Sequence, residues 1–169
     1  MPPRSHLVCV ASAGAGALGL GHAAVSAYWA VGGTGLLHTI GGDIERWGRQ
    51  RGASVVVALW AIVAVKTVVA LAAPIVACRP RWLPAWTSGR VPRILSWIAA
   101  ATLVAYGGVL TVAGLLVQTD IVRAGPSADR RALAWHAYLW DPWFLAWGLA
   151  FGAALWLTRS RRRAGGATT

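Results

Sequence analysis

Residues 53–77 read ASVVVALWAIVAVKTVVALAAPIVA, a run in which Lys66 is the one charged side chain. An α-helix rises about 1.5 Å per residue, so a run of this length crosses a hydrocarbon layer of roughly 30 Å with some tilt. Three more stretches share this character: Leu7–Val31, Ile94–Val117 and Leu133–Leu157. Together they fill most of a 169-residue chain that is 57% hydrophobic, with a mean hydropathy of +0.56. That is too apolar for a water-soluble domain and too short for a second membrane domain. The expected fold is all-α, a four-helix transmembrane bundle forming one domain over 1–169. Its helices are placed at about 7–31, 53–77, 94–117 and 133–157, with a basic flexible tail over 158–169.

The net charge of +11 invites a nucleic-acid reading, but the basic residues sit in short clusters beside the apolar runs, so no nucleic-acid partner is expected. The N-terminus (Arg4), the second loop (Arg79, Arg81, Arg90, Arg93) and the tail (Arg159, Arg161, Arg162, Arg163) hold nine arginines and no acid. The first and third loops hold six (Arg46, Arg49, Arg51, Arg123, Arg130, Arg131) and four acids: Asp43, Glu45, Asp120 and Asp129. Orientation follows Lys and Arg in short loops, which places both termini and the second loop in the cytoplasm. The lipid bilayer is the first expected partner, and the expected location is a cytoplasmic (inner) membrane, crossed several times. The arginine-rich tail reads as a stop-transfer anchor.

Cys9 and Cys78 both fall near the cytoplasmic ends of their segments, on the reducing side, so no structural disulfide is expected. No C-x-x-C occurs, which weakens a thiol oxidoreductase reading. Ala24–Ala27 (AVSA) mimics a signal-peptide cleavage site, yet the apolar run continues through Tyr28 and Trp29 and favours a retained helix. The first loop, Gly32–Gly52, is glycine-rich and long enough to form a partly ordered cap. Among the tryptophans, Trp29, Trp135 and Trp156 fall at expected interfaces. Trp60, Trp97, Trp140, Trp143 and Trp147 fall deeper and are expected to fill the bundle.

Polar residues inside the apolar runs point to function. A lysine at the centre of a spanning helix costs roughly 2.5–3.5 kcal/mol, so Lys66 should face the bundle or water. Asp141 lies about 12 Å from the outer start of the fourth segment, Lys66 about 20 Å and His22 about 14 Å from the outer ends of theirs. Side chains lean toward a helix's N-terminus, which brings all three toward one layer in the outer half. A Lys66–Asp141 pair with His22 nearby is expected, either as an ion- or ligand-handling site or as an ion pair that fixes helix register. Asp141-Pro142 is also a helix-start signal, so the fourth helix either restarts there or is kinked.

His136, Trp140, Trp143 and Trp147 form one helical stripe, and Asp141, Leu145, Gly148 and Gly152 the next. Gly14, Gly19, Gly148 and Gly152 are read as helix-packing positions, because small residues let helices approach closely in lipid. His22 and His136 differ in depth by about 9 Å, a poor fit for a shared haem. No metal-spaced His/Cys cluster, phosphate loop or Ser/His/Asp set stands out, and no metal or other cofactor is expected.

Three motifs and Lys66 carry a resemblance. WDPWF followed by L-x-W-G (140–148), YWAVGG (28–33), Tyr106-Gly107-Gly108 and the mid-segment lysine resemble the bacterial domain-of-unknown-function family 3995, over roughly residues 10–157. The resemblance implies a small four-helix integral membrane protein and points to Trp140, Asp141, Pro142 and Trp143, without implying a reaction. Many members place a histidine shortly before the Tyr-Trp pair. In this chain Ser26 or Ala27 stands there, and the nearest histidine is His22.

The sequence thus points to a membrane protein that binds or passes a small species through an outer-half site. Lys66 would be the charge and Asp141 its counter-ion, His22 and His136 polar neighbours, Trp140 and Trp143 walls. A structural or partner-binding subunit, such as a homo-oligomer joined through its glycine faces, is the alternative. A membrane enzyme acting on a lipid or quinone is a third reading.

Overall fold

The computed structural model describes residues 3–78, 83–84, 87, 89–125 and 128–165. The second-loop arginines Arg79 and Arg81 lie outside them. Among the described residues every regular element is helical. The α-helices are α1 (Pro3–Ala30), α2 (Gly42–Gln50), α3 (Ala53–Cys78), α4 (Arg90–Gln118), α5 (Arg130–Trp135) and α6 (Asp141–Gly165). A 3-10 turn, Leu37–Thr39, lies between α1 and α2, and a π-helical turn, His136–Trp140, joins α5 to α6.

Among the described residues three helices are long and apolar enough to cross a membrane: His6–Ala30, Ala53–Val76 and Arg90–Gln118. The fourth expected span is built differently. Its long helix, α6, opens on Asp141-Pro142 and carries Trp143, Trp147 and Trp156, which lowers its apolar character. It also continues as helix to Gly165, so the expected flexible tail from 158 is helical to that point.

Helix α1 packs chiefly on α3 and on α6, and α4 packs chiefly on α6; α3 and α4 touch far less. Close approach comes from small residues. A β-carbon at Gly107 would overlap the α6 backbone at Leu145, and one at Gly148 would meet the α4 backbone at Val104. Gly19 and Gly21 of α1 receive the indoles of Trp147 and Trp143. Gly14 and Gly152, read from sequence as packing positions, have nothing within 4 Å of where a β-carbon would stand, and Gly107 and Gly114 take that role on α4.

The core fills one half of the bundle. Trp147, Phe151 and Leu155 project from α6 at four-residue intervals against Ala15, Ala70, Ala73 and Ala100. Alanine on three helices leaves the space that the large α6 side chains occupy. Trp60, expected inside, is instead half-exposed on α3. The outer flanks of α3 and α4 are bare apolar surface, Val57, Val65 and Val68 on one and Ile94, Val109 and Val112 on the other. A continuous apolar face of this extent is a surface for lipid or a partner rather than for water.

At the opposite end the first and third connections meet. The YWAVGG stretch ends α1 and reverses the chain. Gly32 takes φ +109°, a left-handed conformation that favours glycine, and leaves room for the Arg51 guanidinium. Arg51 also donates to the Ala30 carbonyl at 3.3 Å, tying the end of α2 to the end of α1. The Trp29 indole donates to the Gly35 carbonyl at 2.8 Å. Gly41 packs against Ala132 of α5, whose N-terminus is capped by Asp129 accepting from Arg131 and Ala132 at 3.0 Å. The expected partly ordered cap over the first loop is thus a 3-10 turn followed by the two-turn helix α2.

Candidate functional site

Beyond the solid half, the helices line a half-open cavity of about 900 Å³. Its wall takes His22, Ser26 and Trp29 from α1 and one face of α3: Val55, Ala58, Leu59, Ile62 and Lys66. Tyr106 comes from α4, and His136, Trp140, Asp141 and Phe144 from the π turn and α6. Ile44 and Trp47 of α2 line its end near the first connection. The α3 residues follow helical spacing, which puts them on a single stripe.

Lys66, half-buried, is the cationic group of the wall. Its ammonium donates to Ser26 Oγ at 2.8 Å and to His22 Nδ1 at 3.0 Å, and it lies 5.6 Å from the centre of the Phe144 ring. Donation to Nδ1 fixes His22 as the neutral tautomer with hydrogen on Nε2. That nitrogen is buried and has no hydrogen-bond partner. Aromatic rings surround His22 instead, with Phe144, Trp143 and Trp140 at 4.3, 5.2 and 5.7 Å between centres. Weak N–H···π contact is what remains for it.

The expected direct Lys66–Asp141 pair does not form; among the described residues no carboxylate lies within 4.0 Å of Lys66. Lys66 sits level with Phe144, about one helical turn deeper than Asp141, and outward lean does not close that gap. Asp141, 3% exposed, takes His136 as partner at 3.4 Å instead.

The π turn accounts for that partnership. In a regular helix, positions five apart point well away from each other; a π turn bonds i to i+5 and brings them together. The Asp141 amide donates to the His136 carbonyl across the turn. Asp141 is helical rather than a cap. The alternatives of restart or proline kink are therefore replaced by a widened but unbroken helix. Pro142, which lacks an amide hydrogen, follows the widened turn directly.

Trp140, 2% exposed, donates from Nε1 to Thr39 Oγ1 at 2.9 Å, which seats the 3-10 turn on the bundle. Trp143, expected as a pocket wall, points the other way. Its Nε1 donates to the Leu18 carbonyl at 3.0 Å, and it lies outside the cavity lining. Reasoning from sequence overlooked Ser26, Trp29, Thr39, Tyr106 and Phe144. Ser26 had a signal: it stands one turn after His22 on α1. Thr39 and Trp140 are far apart in sequence and had none.

The wall joins a half-buried amine with neutral partners, a carboxylate–imidazole pair, several aromatic faces and an apolar stripe. It can hold a small molecule by one polar contact at each level and by apolar burial between them. The described residues contain no cluster of three or more His, Cys, Asp or Glu suited to a metal.

A family model described as "Protein of unknown function (DUF3995)" matches residues 19–151. Neither a curated protein nor a solved structure matches the chain. The matched span contains the WDPWF, YWAVGG and Tyr106-Gly107-Gly108 motifs and Lys66. These converge on the cavity: Tyr106 lies edge-on to Phe144 at 5.3 Å, and Gly107 abuts α6 beside Asp141.

Proposed function

This chain belongs to the family of proteins of unknown function matched over residues 19–151, and on that premise we propose that it is a multi-pass protein of a bacterial cytoplasmic membrane whose outer-half cavity binds or passes a small species. The observation that carries this reading is the cavity itself. It gathers Lys66, His22, Ser26, His136 and Asp141 at depths where a polar side chain is costly unless it is used.

The membrane placement rests on three apolar helices of spanning length and on the bare apolar flanks of α3 and α4. In this reading α5, the π turn and α6 form the fourth span, and irregular helix geometry is tolerated because it faces a protein-lined cavity. The arginine distribution puts both termini inside, so the cavity opens toward the outer face beneath α2.

Native mass spectrometry of the protein in mild detergent, with an absorbance spectrum of the same sample, tests the reading. A discrete bound mass, lost in Lys66→Met, is the expected result. Bare protein in both, with no chromophore and one defined oligomeric mass, would overturn it in favour of a partner-binding subunit. A reporter fused to the C-terminus tests the topology, and an external reporter would refute it.

A further inference from the structure

Three features of the cavity wall constrain what it can bind. The first is the charge of Lys66. Its ammonium has two neutral acceptors, His22 and Ser26, and no carboxylate within 4.0 Å among the described residues. A half-buried charge without a counter-charge is less well satisfied than one in water, so an anion supplied by a ligand gains more here than in bulk solvent. Among the described residues no arginine lines the cavity, which matches a single negative charge rather than two. Asp141 does not supply the missing charge: it lies a turn further out and is engaged by His136.

The second feature is the apolar stripe. Val55, Leu59 and Ile62 run outward from Lys66 along α3, faced by Trp29 and Trp140. An inorganic anion would leave this surface unused, whereas an apolar body would bury against it.

The third is the side of the cavity. Ile62 of α3 and Tyr106 of α4 both line it, yet they are 43% and 50% exposed. These two helices scarcely touch each other, so the cavity reaches the apolar flank between them. A molecule dissolved in the lipid phase meets that flank directly.

Resting on the reading of the cavity as a binding site, we infer that its ligand is a monoanionic amphiphile taken from the lipid phase between α3 and α4. Its acidic head is held at Lys66, and its apolar body lies along the α3 stripe. A free long-chain carboxylate and a phosphodiester lipid share this chemistry.

The test is equilibrium binding to the full chain in neutral detergent, with palmitate, methyl palmitate, hexadecylamine and phosphatidylglycerol as probes. The proteins are wild type, Lys66→Gln and Lys66→Arg. Wild type is expected to bind palmitate or phosphatidylglycerol at least about tenfold tighter than Lys66→Gln does, since truncating one side of a buried charge pair costs more than that. Lys66→Arg keeps the charge and should retain most of the affinity. The tighter of the two acidic probes identifies the source. Equal affinity of wild type and Lys66→Gln for both acids, or wild-type binding of the ester or amine as tight as of the acid, overturns the inference. If a co-purifying mass still depends on Lys66 in that case, the binding site stands and only the ligand class fails. If no mass is found either, the site fails as well.

Discussion

Lys66 of α3 and His22 of α1 meet at 3.0 Å across the helix seam, and Ser26 completes the contact at 2.8 Å one turn further along α1. The lysine is therefore tied to α1, while Asp141 belongs to a separate pair with His136. Two polar units sit in one cavity at different depths, and they should behave independently.

That independence is measurable. Lys66→Met and Asp141→Asn are expected to have additive effects on unfolding in detergent, with an interaction energy below about 0.5 kcal/mol. Lys66→Met alone should stay within about 1 kcal/mol of wild type, because losing two hydrogen bonds is offset by removing a half-buried charge that has no counter-ion. If either change destabilised the protein and the double variant restored it, Lys66 and Asp141 would be a coupled ion pair rather than members of two separate units.

The glycines divide into tight and open positions, which sequence alone could not separate. Gly107→Ala and Gly148→Ala should destabilise by about 1–3 kcal/mol, since the new carbon meets backbone that cannot rotate away. Gly14→Ala and Gly152→Ala meet nothing within 4 Å and should be neutral or stabilising by up to ~1 kcal/mol through helix propensity. Thermal unfolding of the four variants reads this directly. The same order of stability for all four would contradict the observed α4–α6 contact.

Thr39 holds the Trp140 indole in a fully buried hydrogen bond. Thr39→Val keeps the shape and strands the indole N–H, at an expected cost of about 1–3 kcal/mol. Thr39→Ser keeps the hydroxyl and should recover most of it. Unfolding midpoints of the two variants check this, and an equal loss in both would show that the hydroxyl is not the group that matters.

The coarse architecture was legible because apolar runs of spanning length admit few structures. The spans expected at 53–77 and 94–117 fall within α3 and α4, and that at 7–31 matches α1 but for its last residue. Local wrapping was less legible. A π turn depends on one extra residue being accommodated between α5 and α6, and no residue type marks it; it moves His136 from the stripe of Trp140 to the face of Asp141. Helix α2 was hidden because only Ile44 and Trp47 give it an apolar side, and it packs lightly on the rest. Lys66, Asp141, His22, His136 and Trp140, which line the cavity, were visible as polar or aromatic groups in apolar runs. Their pairing was not, because a depth error of one turn decides who meets whom. Trp143 shows the same limit: it neighbours the site in sequence and turns toward α1.

Lys66 is the one lysine of the chain, so a single side chain can be followed chemically. The central claim is that a small molecule reaches its amine through the cavity while the protein is folded. Reductive methylation with ¹³C-formaldehyde, located by peptide mass spectrometry, measures this. Lys66 is expected to be dimethylated in the folded protein, and Ala58→Trp, which places an indole in the cavity wall, should suppress the reaction without unfolding the chain. A Lys66 that stays unmodified in folded wild type and reacts only after denaturation would contradict the claim.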